Sequence, residues 1–335
     1  MRYLKLFECC YTVKGKNYTT ILDPQREDFY RFPNRFYDVL ELLKAHPYEE
    51  AKKKTVDQET FEEVSSFILD NELGFFTETP ENFPPISRNF EEPFIISNAI
   101  LDYNATSDYD LDLAIEQLET LSCPFIQFRF YDKISEKFLI ELLDKIQEQD
   151  KVLAVEIIAK FNPEISLTHL DKIKTNYLKL QSIVFHSAPE DKLLSREVIN
   201  HFSMMMVILS TDVIRDEKDC GKVSTDYFVT NDQQFILESY NYNNCLNKKV
   251  SVDKNGLIRN CPSMKKDYGH INQTDLAEVI EDEDFKKVWS ISKDEVSVCQ
   301  QCEFKLICSD CRAYTHDDDL YGKPEKCEYD PIAVL

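Results

Sequence analysis

Phe94-Ile-Ile-Ser-Asn-Ala-Ile-Leu101, Phe125-Ile-Gln-Phe-Arg-Phe-Tyr131, Val152-Leu-Ala-Val-Glu-Ile-Ile158, Leu180-Gln-Ser-Ile-Val-Phe185 and Met205-Met-Val-Ile-Leu209 are short runs rich in apolar, β-branched and aromatic residues. Such runs read as strands. Between them, amphipathic stretches at 110–121, 135–149, 166–177 and 193–202 have helical spacing. Strand and helix in alternation predict an α/β fold, with a parallel sheet covered by helices. Residues 94–235 are too few for the ~250 of a complete (β/α)8 barrel, so the expectation is a partial (β/α) barrel or an open sheet.

Toward the N-terminus, residues 79–93 hold Pro80, Pro84, Pro85 and Pro93 among acidic and polar side chains, which suits a linker. Before it, residues 3–10, 17–22 and 28–32 read as a small antiparallel meander, broken at Lys14-Gly15-Lys16 and Asp23-Pro24-Gln25. Helical patterns follow at Asn34–Lys44, Tyr48–Lys53 and Asp57–Glu72, with Phe36, Val39, Leu40, Leu43, Phe61, Val64, Phe67 and Ile68 spaced for burial. Residues 1–78 are therefore expected to form a module of their own. On adjacent strand positions Cys9 and Cys10 would point to opposite faces, a poor arrangement for one metal.

Toward the C-terminus, residues 236–335 carry Cys245, Cys261, Cys299, Cys302, Cys308, Cys311 and Cys327. The pattern is C-x10-G-x4-C, then C-x2-C-x5-C-x2-C, then a final cysteine. Lys254-Asn-Gly256 predicts a tight hairpin turn, which would bring the flanking Cys245 and Cys261 together. Seven soft thiolates in this order are enough for two iron–sulfur clusters, and a tetrahedral zinc site is the alternative.

Composition removes other classes. The net charge of −22, with 61 acidic against 39 basic residues, argues against nucleic acid as a partner. No apolar run approaches the ~18 residues of a membrane helix, and no signal peptide is visible, so the chain reads as soluble and cytoplasmic. In that reducing compartment clustered cysteines are expected as ligands or catalysts rather than disulfides. The six glycines are too dispersed for a phosphate-binding loop. The six histidines (His46, His169, His186, His201, His270, His316) form no catalytic motif, although His186 ends an expected strand, where a crevice could meet it. Cys123 just precedes a strand and reads as packed.

Three resemblances sharpen these expectations. Residues 1–78, in the order β-β-β-α-α-α, resemble the winged-helix-like recognition element of peptide-modifying systems, including the pyrroloquinoline-quinone chaperone type. That implies binding of a precursor peptide leader as an added strand; a structural or DNA-binding winged helix is the alternative. The strand–helix alternation plus the cysteine-rich tail resembles the radical S-adenosylmethionine superfamily with a SPASM domain. The C-x3-C-x2-C expected after the first barrel strand is missing, its place held by Asp102-Tyr-Asn-Ala-Thr-Ser-Asp-Tyr109. The Gly-Gly-Glu-Pro segment is replaced by Arg129-Phe-Tyr-Asp-Lys133. Conventional radical S-adenosylmethionine chemistry is therefore not expected.

The words CEFKLICSDCRAY and KPEKCEYDP are similar to the SPASM-domain peptide maturase of grasp-with-spasm systems, which implies an ATP-grasp ligase as partner. By this resemblance one 4Fe-4S cluster takes Cys299, Cys302, Cys308 and Cys327, and a second takes Cys245, Cys261 and Cys311. The gap before Cys311 has two residues where the family pattern has three. The second cluster lacks a fourth ligand, for which Cys220 or an open coordination site are the options, with Cys220 as a bystander the third. The implied function is maturation of a ribosomally made peptide, by binding its leader and supporting its modification. A peptide-modifying oxidoreductase with an open iron and a metal-stabilised non-catalytic adaptor are the rivals.

Overall fold

The computed structural model describes residues 1–166, 170, 173, 176–194, 206–220, 223–225, 228, 230 and 232–333. The helices expected over 166–177 and 193–202 lie largely outside these residues, and His169, His201 and Met205 lie wholly outside. The chain divides into two compact units, one of residues 1–91, 222–245 and 290–335, the other of 92–221 and 246–289.

In the first unit, strands β2 (Tyr11–Lys14), β3 (Tyr18–Asp23) and β4 (Asp28–Pro33) form an antiparallel sheet in that order. Strand β1 (Tyr3–Leu6) does not join it and pairs instead with β5 (Gly74–Thr77), Tyr3 opposite Thr77 and Leu6 opposite Gly74. The expected strand 3–10 is thus two elements. The chain turns at Phe7–Cys10, where the Cys10 N–H donates to the Phe7 carbonyl at 2.9 Å. Gly74 permits the β1–β5 pairing, because a Cβ there would stand 2.4 Å from the Lys5 carbonyl oxygen.

Helices α1 (Arg35–Ala45), α2 (Tyr48–Lys54) and α3 (Gln58–Asp70) match the helical spacing read in the sequence. Asp57 caps α3 by accepting the Thr60 N–H at 2.9 Å. Leu4, Ile21, Phe36, Leu40, Phe61, Val64 and Ile68 close a core between the helices and one face of the sheet. The other face is covered too: Tyr11, Val13, Leu22 and Phe29 pack with Ile236, Leu237, Phe304, Leu306 and Ile307. The N-terminal sheet is therefore one layer of a core that the cysteine-rich segment completes.

The second unit is an α/β layer structure. Strands β6 (Asn98–Tyr103), β7 (Phe125–Lys133), β8 (Ala154–Lys160), β9 (Leu180–His186), β10 (Lys192–Leu194), β11 (Met206–Leu209), β12 (Lys249–Val252) and β13 (Ile258–Arg259) form one sheet, in the order β10-β11-β9-β8-β7-β6-β12-β13. All neighbours are parallel except the two edge pairs, β10 with β11 and β12 with β13. Helices α4 (Leu111–Thr120) and α5 (Glu136–Glu148) are capped by Asp110 and Ser135 and turn their apolar faces to the sheet.

Residues 246–289 belong to this unit, although the sequence places them with the tail. The hairpin around Gly256, φ +76°, forms as its Asn-Gly turn predicts. Its first strand also pairs parallel to β6, Lys249 with Asn98 through Val252 with Leu101. The reason is burial: Val250, Val252 and Ile258 are inside the sheet's core with Leu101, Ile115 and Leu118. Among the described residues no helix is long and apolar enough to cross a membrane.

Candidate metal centre and sheet-edge groove

The first unit holds six of the seven tail cysteines, Cys245, Cys299, Cys302, Cys308, Cys311 and Cys327. Burial pushes the Cys299 thiol up to about 12, and the negative neighbours Asp310, Cys308 and Cys327 add to it. Cys302 is raised by burial and then by Glu303, Cys308 and Cys299. Cys308 is pushed up to about 11 by burial, against the opposing pull of Lys293. Cys299, Cys302, Cys308 and Cys327 are thus close enough for their charges to interact. Such thiols hold their protons at neutral pH, so metal would enter with proton release.

Backbone amides point at the sulfurs. The Phe304 N–H donates to Cys302 Sγ at 3.4 Å and the Asp310 N–H to Cys308 Sγ at 3.3 Å, each from two residues downstream. Cys311, raised by burial, is eased by the N–H groups of Tyr314 and Ala313. Donors of this kind spread thiolate charge and orient the ligand. Among the described residues, no three His, Cys, Asp or Glu side chains converge as the ligands of one metal ion. A four-iron cluster needs a different arrangement, one thiolate at each of several irons with N–H groups on the sulfurs. Of Cys299, Cys302, Cys308 and Cys327, the sulfurs of Cys302 and Cys308 receive such N–H groups.

Cys245 interacts with Cys311 in the first unit, while Cys261 and the exposed Cys220 belong to the second. Cys123 is fully buried and its thiol donates to the Phe125 carbonyl at 3.3 Å, a packing role as expected. Cys9 and Cys10 sit in a turn and not on a strand, so the opposite-faces argument does not apply; the two side chains touch, with Cys10 raised chiefly by burial.

Polar contacts tie the cysteine segment to the N-terminal sheet. The Lys16 N–H donates to the Gln301 carbonyl at 2.8 Å, Thr20 Oγ1 to the Glu303 carbonyl at 2.6 Å, and Arg31 Nε to Glu303 Oε1 at 2.8 Å. Tyr329 donates to the same carboxylate oxygen at 2.6 Å. Gly15 is required by this approach, since a Cβ would lie 2.7 Å from the Glu303 nitrogen. In this unit a cavity of about 330 Å³ is lined by Leu4 and Leu6 of β1, Tyr11 and Thr12 of β2, and Leu40 and Lys44 of α1. Among the described residues, strands β1 and β2 are each paired on one side only. Unpaired strand edges are templates for an added strand.

In the second unit, the ends of β6 and β7 are filled by buried polar side chains. Arg129 donates from Nε to Asp102 Oδ1 at 2.6 Å and from Nη2 to Asp102 Oδ2 at 2.8 Å, and the Tyr131 hydroxyl donates to Oδ2 at 2.5 Å. The Tyr109 hydroxyl donates to the Asp102 carbonyl at 2.9 Å. Burial disfavours the Arg129 charge, but the Asp102 carboxylate more than offsets this and raises the guanidinium above its ordinary value. These are the two places where the cofactor motifs of the radical superfamily are absent from the sequence. The sequence signal is Asp102 after Ala99-Ile-Leu101 and Arg129 between Phe128 and Phe130, charges among apolar neighbours that need a partner when buried. His186, expected at a strand end, is 1 % exposed, and its Nδ1 accepts the Ile214 N–H at 3.4 Å.

No family model matches the chain, and no curated protein matches it. Solved structures of SuiB from Streptococcus suis are similar in part. The form bound to S-adenosylmethionine has a TM-score of 0.37 at 10% identity, over 98% of this chain and 100% of that one. The form bound to precursor peptide SuiA has 0.34 at 10% identity, again over 98% and 100%. A further SuiB structure has 0.32 at 10% identity, over 97% and 100%.

Proposed function

We propose that the chain serves the maturation of a ribosomally made peptide. It would hold the precursor's leader as an added strand along the β1 and β2 edges and carry 4Fe-4S clusters on its tail cysteines. The observation behind this reading is that an amide-capped, half-buried cysteine set and an unpaired sheet edge lie in one compact unit, joined through Arg31, Thr20 and Glu303.

Cys299, Cys302, Cys308 and Cys327 would hold one cluster, and Cys245, Cys261 and Cys311 the other. A bound cluster supplies one-electron transfer. The chain's residues do the rest. Leu4, Leu6, Tyr11 and Leu40 offer apolar contacts to alternate side chains of an extended peptide, while backbone groups of the edge supply pairing. The amides of Phe304 and Asp310 fix the thiolates. Asp102, Arg129 and Tyr131 form a buried hydrogen-bonded set at the ends of β6 and β7. The similarity of the tail to grasp-with-spasm maturases adds an ATP-grasp ligase as the proposed partner.

Anaerobic reconstitution of the full chain tests the metal half: about eight irons per chain are expected if both clusters form, with visible absorption that reductant bleaches. Stoichiometric zinc without iron uptake would overturn it. Titration with synthetic leader and core halves of the precursor peptide tests the other half. Saturable binding near micromolar, about −8 kcal/mol, is expected for the leader, and binding of the core alone would move recognition elsewhere.

A further inference from the structure

In the second unit, Asp102, Arg129 and Tyr131 occupy one face of the sheet at the ends of β6 and β7, and their strand neighbours Tyr103, Phe130 and Asp132 alternate to the other. Tyr103 stands opposite Phe130 in register. Helix α5 packs on this second face, where Phe138 meets Phe130 edge-on with centroids 5.5 Å apart. A cavity of about 200 Å³ opens there, lined by Tyr103, Phe130, Ile134 and Phe138, with Asp132 and Lys133 also in its wall. Neighbouring strand residues ordinarily point apart. Here the register of β7 on β8 shifts between Phe130 and Lys133, and such an irregularity lets both charged side chains reach one cavity. Their charges are not spent on each other. Lys133 makes no ion pair among the described residues, and Asp132 accepts the Ala105 N–H through Oδ2 at 2.9 Å, which leaves Oδ1 uncommitted. That bond, with Ser107 Oγ donating to the Lys254 carbonyl at 2.6 Å, holds the loop after β6 in place as the opposite wall.

We propose that this cavity binds a free apolar α-amino acid, with its side chain among Tyr103, Phe130, Ile134 and Phe138, its ammonium at Asp132 and its carboxylate at Lys133. The volume lies below the ~300–1,000 Å³ of pockets for larger ligands, which suits one residue-sized molecule and excludes a nucleotide. Three aromatic rings can also cage a lone cation, but the Lys133 ammonium at the same cavity opposes one. Opposite charges around a single apolar pocket are complementary to a zwitterion. The position, outside the carboxyl ends of parallel strands, is where open α/β sheets receive ligands. This site needs neither the clusters nor the leader, so its test is independent of the function proposed above.

Titration calorimetry of the full chain with L-phenylalanine should show saturable binding with a dissociation constant below about 1 mM. Phenylalaninamide, which lacks the carboxylate, and N-acetylphenylalanine, which lacks the ammonium, should each bind about fivefold more weakly, the size of a charge pair at an exposed rim. K133M should erase the discrimination against phenylalaninamide and D132N that against N-acetylphenylalanine, because each removes the partner of the missing group. Both side chains are exposed, so the variants should fold as wild type does. A105F, which fills the cavity from an exposed loop position, should abolish binding. No saturable binding of phenylalanine, leucine or methionine by the wild-type chain would overturn the site. Equal binding of the amide or the N-acetyl compound, or preference for tetramethylammonium, would overturn the zwitterion as its ligand, and undiminished binding by A105F would place the amino acid elsewhere and overturn the assignment to this cavity.

Discussion

Arg129→Met is the sharpest probe of how the end of the parallel sheet is held. It removes both donors to Asp102 and leaves a carboxylate that is 1 % exposed with Tyr131 as its remaining side-chain donor. Breaking a buried pair in this way costs about 3–5 kcal/mol, because the surviving charge stays desolvated. The folded-to-unfolded ratio of this unit should therefore fall by roughly two to three and a half powers of ten, at about 1.4 kcal/mol per decade. Replacing the whole set, as D102L with R129M and Y131F, leaves no unmatched charge or hydroxyl and should come within about 1–2 kcal/mol of wild type. Urea unfolding followed by tryptophan fluorescence reads the correct unit. Trp289 is the chain's single tryptophan and packs edge-on against buried Phe285, centroids 5.8 Å apart. A cost under 1 kcal/mol for R129M alone, or a triple variant as unstable as the single one, would refute the reasoning about a buried, mutually dependent pair.

Gly15→Ala should destabilise the first unit by about 1–3 kcal/mol, since its Cβ meets backbone that has little room to move; a neutral effect in thermal unfolding would contradict the close approach of 15 to 303. Residues 1–78 expressed alone should show helical circular dichroism but poorly dispersed amide NMR spectra, because Tyr11, Val13, Leu22 and Phe29 lose their cover; a well-dispersed spectrum would show that the module is independent after all. His186 is held below its ordinary value chiefly by burial, so the unfolded chain binds the proton more readily than the folded one. Stability should then fall as pH drops below the unfolded value of about 6.5 and be fully present above it, and His186→Gln should flatten that slope in urea unfolding followed by Trp289. An identical slope in the variant would assign the acid sensitivity to other groups.

Much of the local structure was legible because it depends on neighbours in sequence. Phe36, Val39, Leu40 and Leu43 write out one face of α1, Asp57 and Ser135 announce helix starts, and Asn255-Gly256 marks a turn that takes positive φ. The parallel strands β6 to β9 were legible for the same reason, as runs apolar enough to be covered on both faces. The error at residues 3–10 also has a local cause. Leu4 and Leu6 suit either partner, and the choice of β5 over the meander depends on Gly74, some seventy residues on.

What the sequence by itself determined was the chemistry on offer: seven tail cysteines in ligand spacing, no phosphate loop, and no cofactor motif after β6 or β7. Tertiary structure alone decided which of those residues meet. It put Cys299, Cys302, Cys308 and Cys327 in one compact unit and Cys261 in the other. It paired β12 with β6 across about one hundred and fifty residues, and it put Glu303 against the N-terminal sheet. The physical reason is common to all of these. Periodicity and turn chemistry are carried by residues within a few positions of one another, whereas a buried charge or a sheet edge is matched by whichever distant group the finished core brings within reach, and spacing along the chain does not encode that distance.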